Sequence, residues 1–261
     1  MAHINQDNFI ELPSIDSTNN YARQLLKDQN LTERQGCNLH GTLIFTHHQW
    51  QGKGQRGKSW LSAPSENLQM SLILKPQPLQ LRQQFLLSAM VAVAARQFFA
   101  DCSGSDIVIK WPNDIYFQDR KAGGILIENI ITGVEWRWAI VGIGLNINQT
   151  VFDPALPNPV SLKQITGKDF DCVELAKELS KAILEKVTSY GLQITGSGLA
   201  VTNSLLDTYN KHLYKRGEKV RLKKNNRAFD ALIKQVTENG QLVTETGMEE
   251  RFDFGEVVWM V

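Results

Sequence analysis

Apolar residues recur with helical spacing through much of the chain and alternate with polar residues near its end. Residues 85–99 repeat apolar side chains at helical intervals, which predicts a largely buried helix. The same spacing predicts helices over 173–190 and 199–212, with the glycine-rich segment 191–198 as a turn between them. At 261 residues the chain is long enough for one large domain and one small one. We place the larger domain over residues 1–213.

The alternating pattern begins after residue 214. Apolar and polar residues alternate over 219–222 and 231–236, and a further short run covers 242–244. Asn239-Gly240, between the last two runs, is a strong signal for a β-hairpin because both residues accept the backbone angles of a tight turn. Residues 214–261 are therefore predicted to form a small β-barrel.

Two strand-like runs, 107–111 and 125–130, flank a polar connection in the middle of the chain. Pro112 fixes its own backbone and extends the residue before it, so a defined bend follows the first strand. A carboxylate there, Asp114, could hold Mg²⁺ together with substrate phosphates. Lys121 adds a point charge for an anion just before two glycines. The alternative interpretation is a solvated hairpin in which Asp114 is only a turn residue.

A second basic segment is rich in glycine and matches GxGxxG at Gly52, Gly54 and Gly57. A dinucleotide-binding fold requires a helix directly after the last glycine. Residues 62–65 read Ser-Ala-Pro-Ser and would break such a helix, so we reject a Rossmann dehydrogenase. The segment is either a loop that orders over a phosphate or small ligand, or a mobile surface loop.

Charge and cysteine content limit the classes of protein that remain. The net charge of +1 gives no footprint for broad nucleic-acid or membrane binding. Cys37, Cys102 and Cys172 form no CxxC pair, which is typical of reduced structural thiols. No apolar run approaches membrane-spanning length and the start lacks a signal-peptide core. We expect a soluble, cytoplasmic protein.

Five motifs together make the sequence similar to the biotin protein ligases. They are Ser17-Thr18-Asn19, GKGQRG at 52–57, KWPND at 110–114, RKAGGIL at 120–126 and GIGLNIN at 142–148. The resemblance implies an α+β catalytic domain with a mixed sheet, like that of class II aminoacyl-tRNA synthetases, followed by a small SH3-like barrel. It implies that ATP and biotin form biotinyl-adenylate with Mg²⁺, and that the biotinyl group passes to a lysine of a carboxylase carrier domain.

The resemblance also assigns roles to residues of this chain. For catalysis it implies Lys121 as the central cation, Arg56 and Lys110 as supporting cations, and Asp114 as the Mg²⁺ ligand. For ATP it implies Arg56, Trp60, Asn113 and Asn146. For biotin it implies Ser17, Thr18, Asn19, Gln49, Gly52, Lys53, Gly54, Gln55, Lys121, Leu126 and Gly142. Independently, Ser17 or Thr18 is expected to cap a helix that ends near Asp28.

The sequence departs from the family at two positions and leaves several questions open. Arginine often stands where this chain has Lys53 and Gln55, and a neutral Gln55 predicts a less tightly held adenylate. Residues 1–16 are too few for a helix-turn-helix, so we expect a dedicated ligase. A lipoate or octanoate ligase is disfavoured because an RRxSGG-type signature is absent. A non-catalytic biotin-binding or sensing protein and a homodimer both stay open.

Overall fold

The computed structural model describes residues 3–4, 8–32 and 38–260, and Cys37 lies outside them. The helices are α1 (Thr18–Thr32), α2 (Gln84–Ser103), α3 (Leu162–Thr166) and α4 (Cys172–Lys211). The strands of the first sheet are β1 (His3–Ile4), β2 (Phe9–Leu12), β3 (Leu43–Thr46), β4 (Leu68–Leu74), β5 (Ile107–Lys110), β6 (Asp114–Phe117), β7 (Arg120–Thr132) and β8 (Glu135–Leu145). Those of the second are β9 (Lys219–Lys224), β10 (Arg227–Val236), β11 (Leu242–Glu245), β12 (Glu249–Phe252) and β13 (Val258–Trp259).

The first sheet has eight strands in the order β1-β2-β3-β4-β8-β7-β6-β5. Strands β2 and β3 pair in parallel, and the other neighbours pair antiparallel. A mixed sheet of this kind, with helices grouped outside it, confirms the predicted α+β class.

Side chains alternate between the two faces of this sheet, so each face has its own core. Leu72 and Phe45 belong to the larger core, which includes α2 and the buried positions of α4. Ile73 and Ile44 face the opposite way and pack under Ala22 of α1 with a smaller group of apolar residues. The sheet is therefore a middle layer, with α2 and α4 on one face and α1 on the other.

The predicted turn at 191–198 is wrong, because α4 is one continuous helix across that segment. A glycine inside a helix is unfavourable by only about 1 kcal/mol, which tertiary packing can offset. Gly191 also has a packing role, since a Cβ there would come within 3.2 Å of the Pro78 ring. Asp171 caps the start of the helix through hydrogen bonds from the backbone N–H groups of Val173 and Glu174.

The polar connection before Lys121 contains a strand of its own. Strand β6 pairs with β5 on one side and β7 on the other, so the segment forms two consecutive hairpins. The alternative interpretation was correct about a hairpin and wrong about Asp114, which is a residue of β6 paired with Lys110 and Gly124 and not a turn residue.

The expectation that no apolar run reaches membrane-spanning length needs correction. The segment Leu81–Ser103 is long and apolar enough to cross a membrane by length and composition. Most of it is buried against the rest of the fold, as in the core helix of a globular domain.

The second sheet follows α4 and has the strand order β12-β11-β10-β9-β13. A turn at Asn239-Gly240 joins β10 to β11, and Gly240 has φ of +84°. The predicted hairpin is thereby confirmed. The Trp111 indole N–H donates to Gly240 O at 2.9 Å, which ties this turn to the first sheet.

Candidate active site

A pocket of about 710 Å³ opens on the α1 face of the first sheet. Its walls come from the start of α1, the glycine-rich loop, strands β4 to β8, residues 157–158 and the end of the second sheet. Segments distant in sequence thus contribute to one cavity.

The floor of the pocket contains a row of cross-strand neighbours. Strand register places Gln69 opposite Gly144, Gly144 opposite Gly124, and Gly124 opposite Asp114. Lys110 is in turn opposite Asp114. Cross-strand neighbours share a face, so the row has polar side chains at its two ends and two glycines between them. The row is flat at these two glycines, and the Trp60 indole lies over Gly144.

Gly142 and Gly144 of β8 must lack a side chain because other groups lie directly on them. A Cβ on Gly142 would clash with the Asn19 amide, and a Cβ on Gly144 would clash with the Trp60 indole, whose Nε1 would be 2.8 Å away. Close approach of another group is a recognised reason for glycine inside a strand. The start of α1 and the Trp60 ring can therefore rest directly on the sheet.

The end of the pocket beside α1 is a network of buried polar groups. Ser71 Oγ lies 2.7 Å from Thr18 Oγ1 and 2.6 Å from Asn19 Oδ1. Asn19 Nδ2 donates to Glu128 at 2.7 Å. Gln49 Oε1 accepts from the backbone N–H of Thr18 at 2.8 Å and from its hydroxyl at 3.2 Å. The first backbone N–H of α1 is thus capped by the Gln49 side chain and not by the predicted hydroxyl of Ser17 or Thr18. The helix also continues to Thr32 instead of ending near Asp28.

The opposite end of the pocket carries positive charge. Lys121 Nζ lies 2.8 Å from Asp114 Oδ2 and 5.9 Å from the centre of the Trp60 ring. Both side chains of the ion pair are about a quarter exposed, at 28% and 24%. The pair faces the pocket beside Gly124, so an incoming anion can reach the ammonium group.

Lys110 lies behind this pair in a cage of aromatic rings. Its Nζ is 4.7 Å from the centre of the Tyr116 ring, 5.3 Å from that of Tyr214 and 5.4 Å from that of Trp259. Burial lowers the pKa of Lys110, while Asp114 opposes that shift. Because Trp259 belongs to β13, the cage joins the second sheet to the charged end of the pocket.

The glycine-rich loop is ordered by its own hydrogen bonds and by contacts across the pocket. Gly54 N donates to Lys58 O at 2.7 Å, and Trp60 N donates to Gly52 O at 2.8 Å. Arg56, at φ of +56°, donates to Gly255 O at 3.2 Å and lies 6.0 Å from the Phe254 ring centre. These contacts link the loop to the second sheet.

The two positions of the loop that depart from the family, Lys53 and Gln55, also face the pocket. Lys53 Nζ donates to Asn20 Oδ1, at the first turn of α1. Gln55 Nε2 donates to Ile125 O at 3.3 Å, and its Oε1 is buried without a partner in the described part of the chain. Neither side chain is held by a carboxylate, so both can respond to a ligand.

The structure brings nearly all the predicted site residues together. Those that line the pocket are Ser17, Thr18, Asn19, Gln49, Lys53, Gly54, Gln55, Arg56, Trp60, Lys110, Asn113, Asp114, Lys121, Leu126 and Gly142. Gly52 and Asn146 do not. A Cβ on Gly52 would come within 2.8 Å of Gln49 Nε2, so this glycine supports the loop from behind. Asn146 is buried and its amide donates to Lys121 O at 3.2 Å and Val160 O at 3.1 Å.

Sequence reasoning missed several lining residues. Gln69 carried a usable signal, because it lies two positions before Ser71 in an apolar strand and so shares its face. Tyr116 carried the same kind of signal, because it lies two positions after Asp114 in β6. Phe254 and Trp259 carried none, since their place depends on how the second sheet packs on the first.

The donors present fit a magnesium ion at the charged end. Mg²⁺ takes one or two carboxylates and leaves its other positions to water and phosphate oxygens. Two carboxylates line the pocket, Asp114 and Asp119. Asp119 is held by the Tyr214 hydroxyl at 2.6 Å and by Lys215 at 3.3 Å, outside the glycine row. Asp114 is therefore the better placed ligand.

Known proteins resemble this chain in sequence. The sequence profile of the biotin/lipoate A/B protein ligase family matches residues 12–146. The "Bifunctional ligase/repressor BirA" of Bacillus spizizenii is 30% identical over 79% of this chain and 62% of its own length. The "Biotin--[acetyl-CoA-carboxylase] ligase" of Paracoccus denitrificans is 31% identical over 53% of this chain and 60% of its own length. The chain thus spans less than two thirds of these curated relatives.

Solved structures resemble it in fold. A biotin protein ligase from Aquifex aeolicus, in complex with biotin and ATP, aligns with a TM-score of 0.74 at 24% identity. The alignment covers 97% of this chain and 98% of that one. The shared architecture therefore extends across both sheets, and the family profile covers more than half of the sequence. On these grounds the chain belongs to the biotin/lipoate A/B protein ligase family.

Proposed function

We propose that this protein is an ATP-dependent biotin–[biotin carboxyl carrier protein] ligase. One observation carries the proposal: a single pocket joins a neutral hydrogen-bonding end, at Thr18 and Asn19, to a cationic end at Lys121 and Lys110. A substrate with a polar head and a carboxylate tail matches such a pocket. The names of the relatives, which include biotin–[acetyl-CoA-carboxylase] ligases, point to biotin as that substrate.

The first reaction joins two anions, so the pocket must bring them together and stabilise the charge. An oxygen of the biotin carboxylate forms a bond to the α-phosphorus of ATP, and the bond from that phosphorus to pyrophosphate breaks. Lys121 stands where the carboxylate and the α-phosphate meet, and positioning and electrostatics supply most of the catalysis in such a transfer. Arg56 and Lys110 supply further positive charge around the phosphates.

The magnesium ion that accompanies ATP neutralises phosphate charge when it is bound, and the Asp114 carboxylate would hold it. In the free protein Asp114 instead accepts from Lys121 at 2.8 Å. Asp114 therefore keeps the ammonium group oriented before substrates arrive.

The second reaction transfers the biotinyl group. The free amine of a carrier lysine attacks the carbonyl carbon of the adenylate, the bond to AMP breaks, and the amine loses a proton. A neutral amine is the nucleophile, so the transfer rate should rise with pH.

The finer architecture belongs to the same proposal. The larger sheet with its helices, residues 1–213, would be the class II synthetase-like catalytic domain. The five-stranded sheet, residues 214–261, would be the SH3-like barrel that completes the ATP site through its 254–259 end. We further propose a carboxylase carrier domain as the protein partner and the cytoplasm as the location.

The test is ATP–pyrophosphate exchange by the purified protein without any carrier. Biotin and lipoate are supplied separately. Exchange that requires biotin is the expected result and establishes the adenylation half-reaction. Biotin binding without exchange would refute the proposal in favour of a protein that stores or senses biotin.

Lipoate is the second candidate substrate, because the matching family includes lipoate ligases. If only lipoate supports exchange, the protein adenylates an acid as proposed, but the acid is lipoate and not biotin. The polar network at Thr18, Asn19 and Ser71 favours biotin, since the dithiolane ring of lipoate offers no hydrogen-bonding partner for it.

A further inference from the structure

Gln69 has an unusual environment for a buried amide. The residue is only 1% exposed, and neither its Nε2 nor its Oε1 has a hydrogen-bond partner among the described residues. Buried polar side chains nearly always have partners, and an unsatisfied one is destabilising by about 1–3 kcal/mol per group. Such an amide calls for a functional explanation.

The place of Gln69 supplies that explanation. Its side chain lines the pocket, and the register of β4 puts it on the same face as Ser71, two residues along. Its cross-strand neighbour is Gly144, on which the Trp60 indole rests. The Trp60 N–H is buried and unpartnered within the described chain as well. Two donors and one acceptor therefore converge on one part of the pocket without a protein partner.

Among the described residues, the neighbouring polar groups do not bond to this amide. Thr18, Asn19 and Ser71 are already bonded to one another, to Gln49 and to Glu128. We propose that Gln69 is a substrate-recognition residue whose amide pairs with a ligand group offering a carbonyl and an N–H side by side. This inference rests on the proposed function, in which the ureido group of biotin is that ligand group.

The distances within the pocket indicate that Gln69 contacts the acid substrate and not ATP. Gln69 and Asp114 lie at opposite ends of the glycine row, three strand spacings or roughly 14 Å apart. Lys121, beside Asp114, takes the carboxylate of the acid. The head of the same molecule then points along the row, past the Trp60 ring over Gly144, towards Gln69 and Thr18. Adenine has a comparable donor and acceptor edge, so the experiment must separate the two ligands.

The test is the Gln69→Met variant, which keeps the length and apolar volume of the side chain and removes its hydrogen bonds. The dissociation constant for biotin is measured by calorimetry, and KM values for biotin and ATP are measured by pyrophosphate exchange. We expect biotin binding to weaken by roughly 10- to 100-fold, since two hydrogen bonds to the ligand are lost. The KM for ATP should stay near the wild-type value.

Thermal unfolding distinguishes a binding role from a structural one, because the two roles predict opposite changes in Tm. Without ligand, Gln69→Met should raise Tm by about 2–4 °C, because an unsatisfied buried amide is removed. A fall in Tm with unchanged biotin affinity would overturn the inference, and so would a rise in the KM for ATP alone. Thr244→Val is the matched control, since it removes a buried, unpartnered hydroxyl in the second sheet and outside the pocket. Biotin affinity should not change in that variant.

The two proposals fail in different ways. If the wild-type protein shows no biotin-dependent exchange, the proposed function fails. If the wild type exchanges and Gln69→Met binds biotin as tightly, only the role of Gln69 fails.

Discussion

Replacement of Lys121 by methionine should abolish most of the adenylation activity while the fold survives. Methionine keeps an unbranched stem and removes the ammonium group that lies 2.8 Å from Asp114 Oδ2. Two unit charges 4 Å apart interact by about 4 kcal/mol at an effective dielectric constant of about 20, and Asp114 offsets part of that in the free protein. The loss of one preorganised donor typically slows a reaction 10²- to 10³-fold, or about 2.7–4 kcal/mol. We expect the exchange rate to fall by that amount.

The assay compares biotin-dependent pyrophosphate exchange with thermal unfolding on the same preparations. The ion pair is partly exposed, so its loss should lower the free energy of unfolding by no more than about 1 kcal/mol. Lys177→Met is the matched control, because Lys177 has the same kind of partner, Glu174 at 2.7 Å, on α4 outside the pocket. Near wild-type exchange by a folded Lys121→Met protein would refute the assignment of Lys121 as the central cation.

Three further predictions concern the pocket and the thiols. Gln55→Arg should slow release of the adenylate, since a positive charge replaces a neutral amide that lines the pocket; unchanged release in a filter-binding chase would disprove this. Gly144→Ala should push the Trp60 ring off the sheet and reduce biotin-dependent exchange by at least about tenfold. Full activity of this variant would show that the ring can move without loss of function. Burial raises the pKa of Cys102 to about 11 and that of Cys172 to about 12, so both should alkylate more slowly at pH 8 than an ordinary thiol of pKa about 9, by a factor of at least about 10. Mass spectrometry of the alkylated peptides measures this, and rapid labelling of either cysteine in the folded protein would contradict the burial seen here.

Comparison of three predicted elements with the structure shows which features a local sequence pattern can predict. The helix at 85–99 and the Asn239-Gly240 hairpin depend on neighbours within a few positions, and both were predicted correctly. The turn at 191–198 was predicted from glycine content, and the structure has a helix there. The preference of glycine against helix is about 1 kcal/mol per residue, which is small beside the burial of a long helix packed on α2.

Sequence alone determined which kinds of side chain the pocket would have, because its motifs carry their chemistry in short segments. It predicted Lys121 as a cation and Asp114 as a magnesium ligand, and the family resemblance implied Thr18, Asn19 and Gln49 as polar contacts to biotin. Only the tertiary structure decided how these segments meet. The row from Gln69 through Gly144 and Gly124 to Asp114 exists because four strands pair in one register, and that register depends on burying the correct face of every strand at once. The contact of Arg56 with Gly255 joins residues 199 positions apart, so it follows from the packing of the two sheets and from no local pattern.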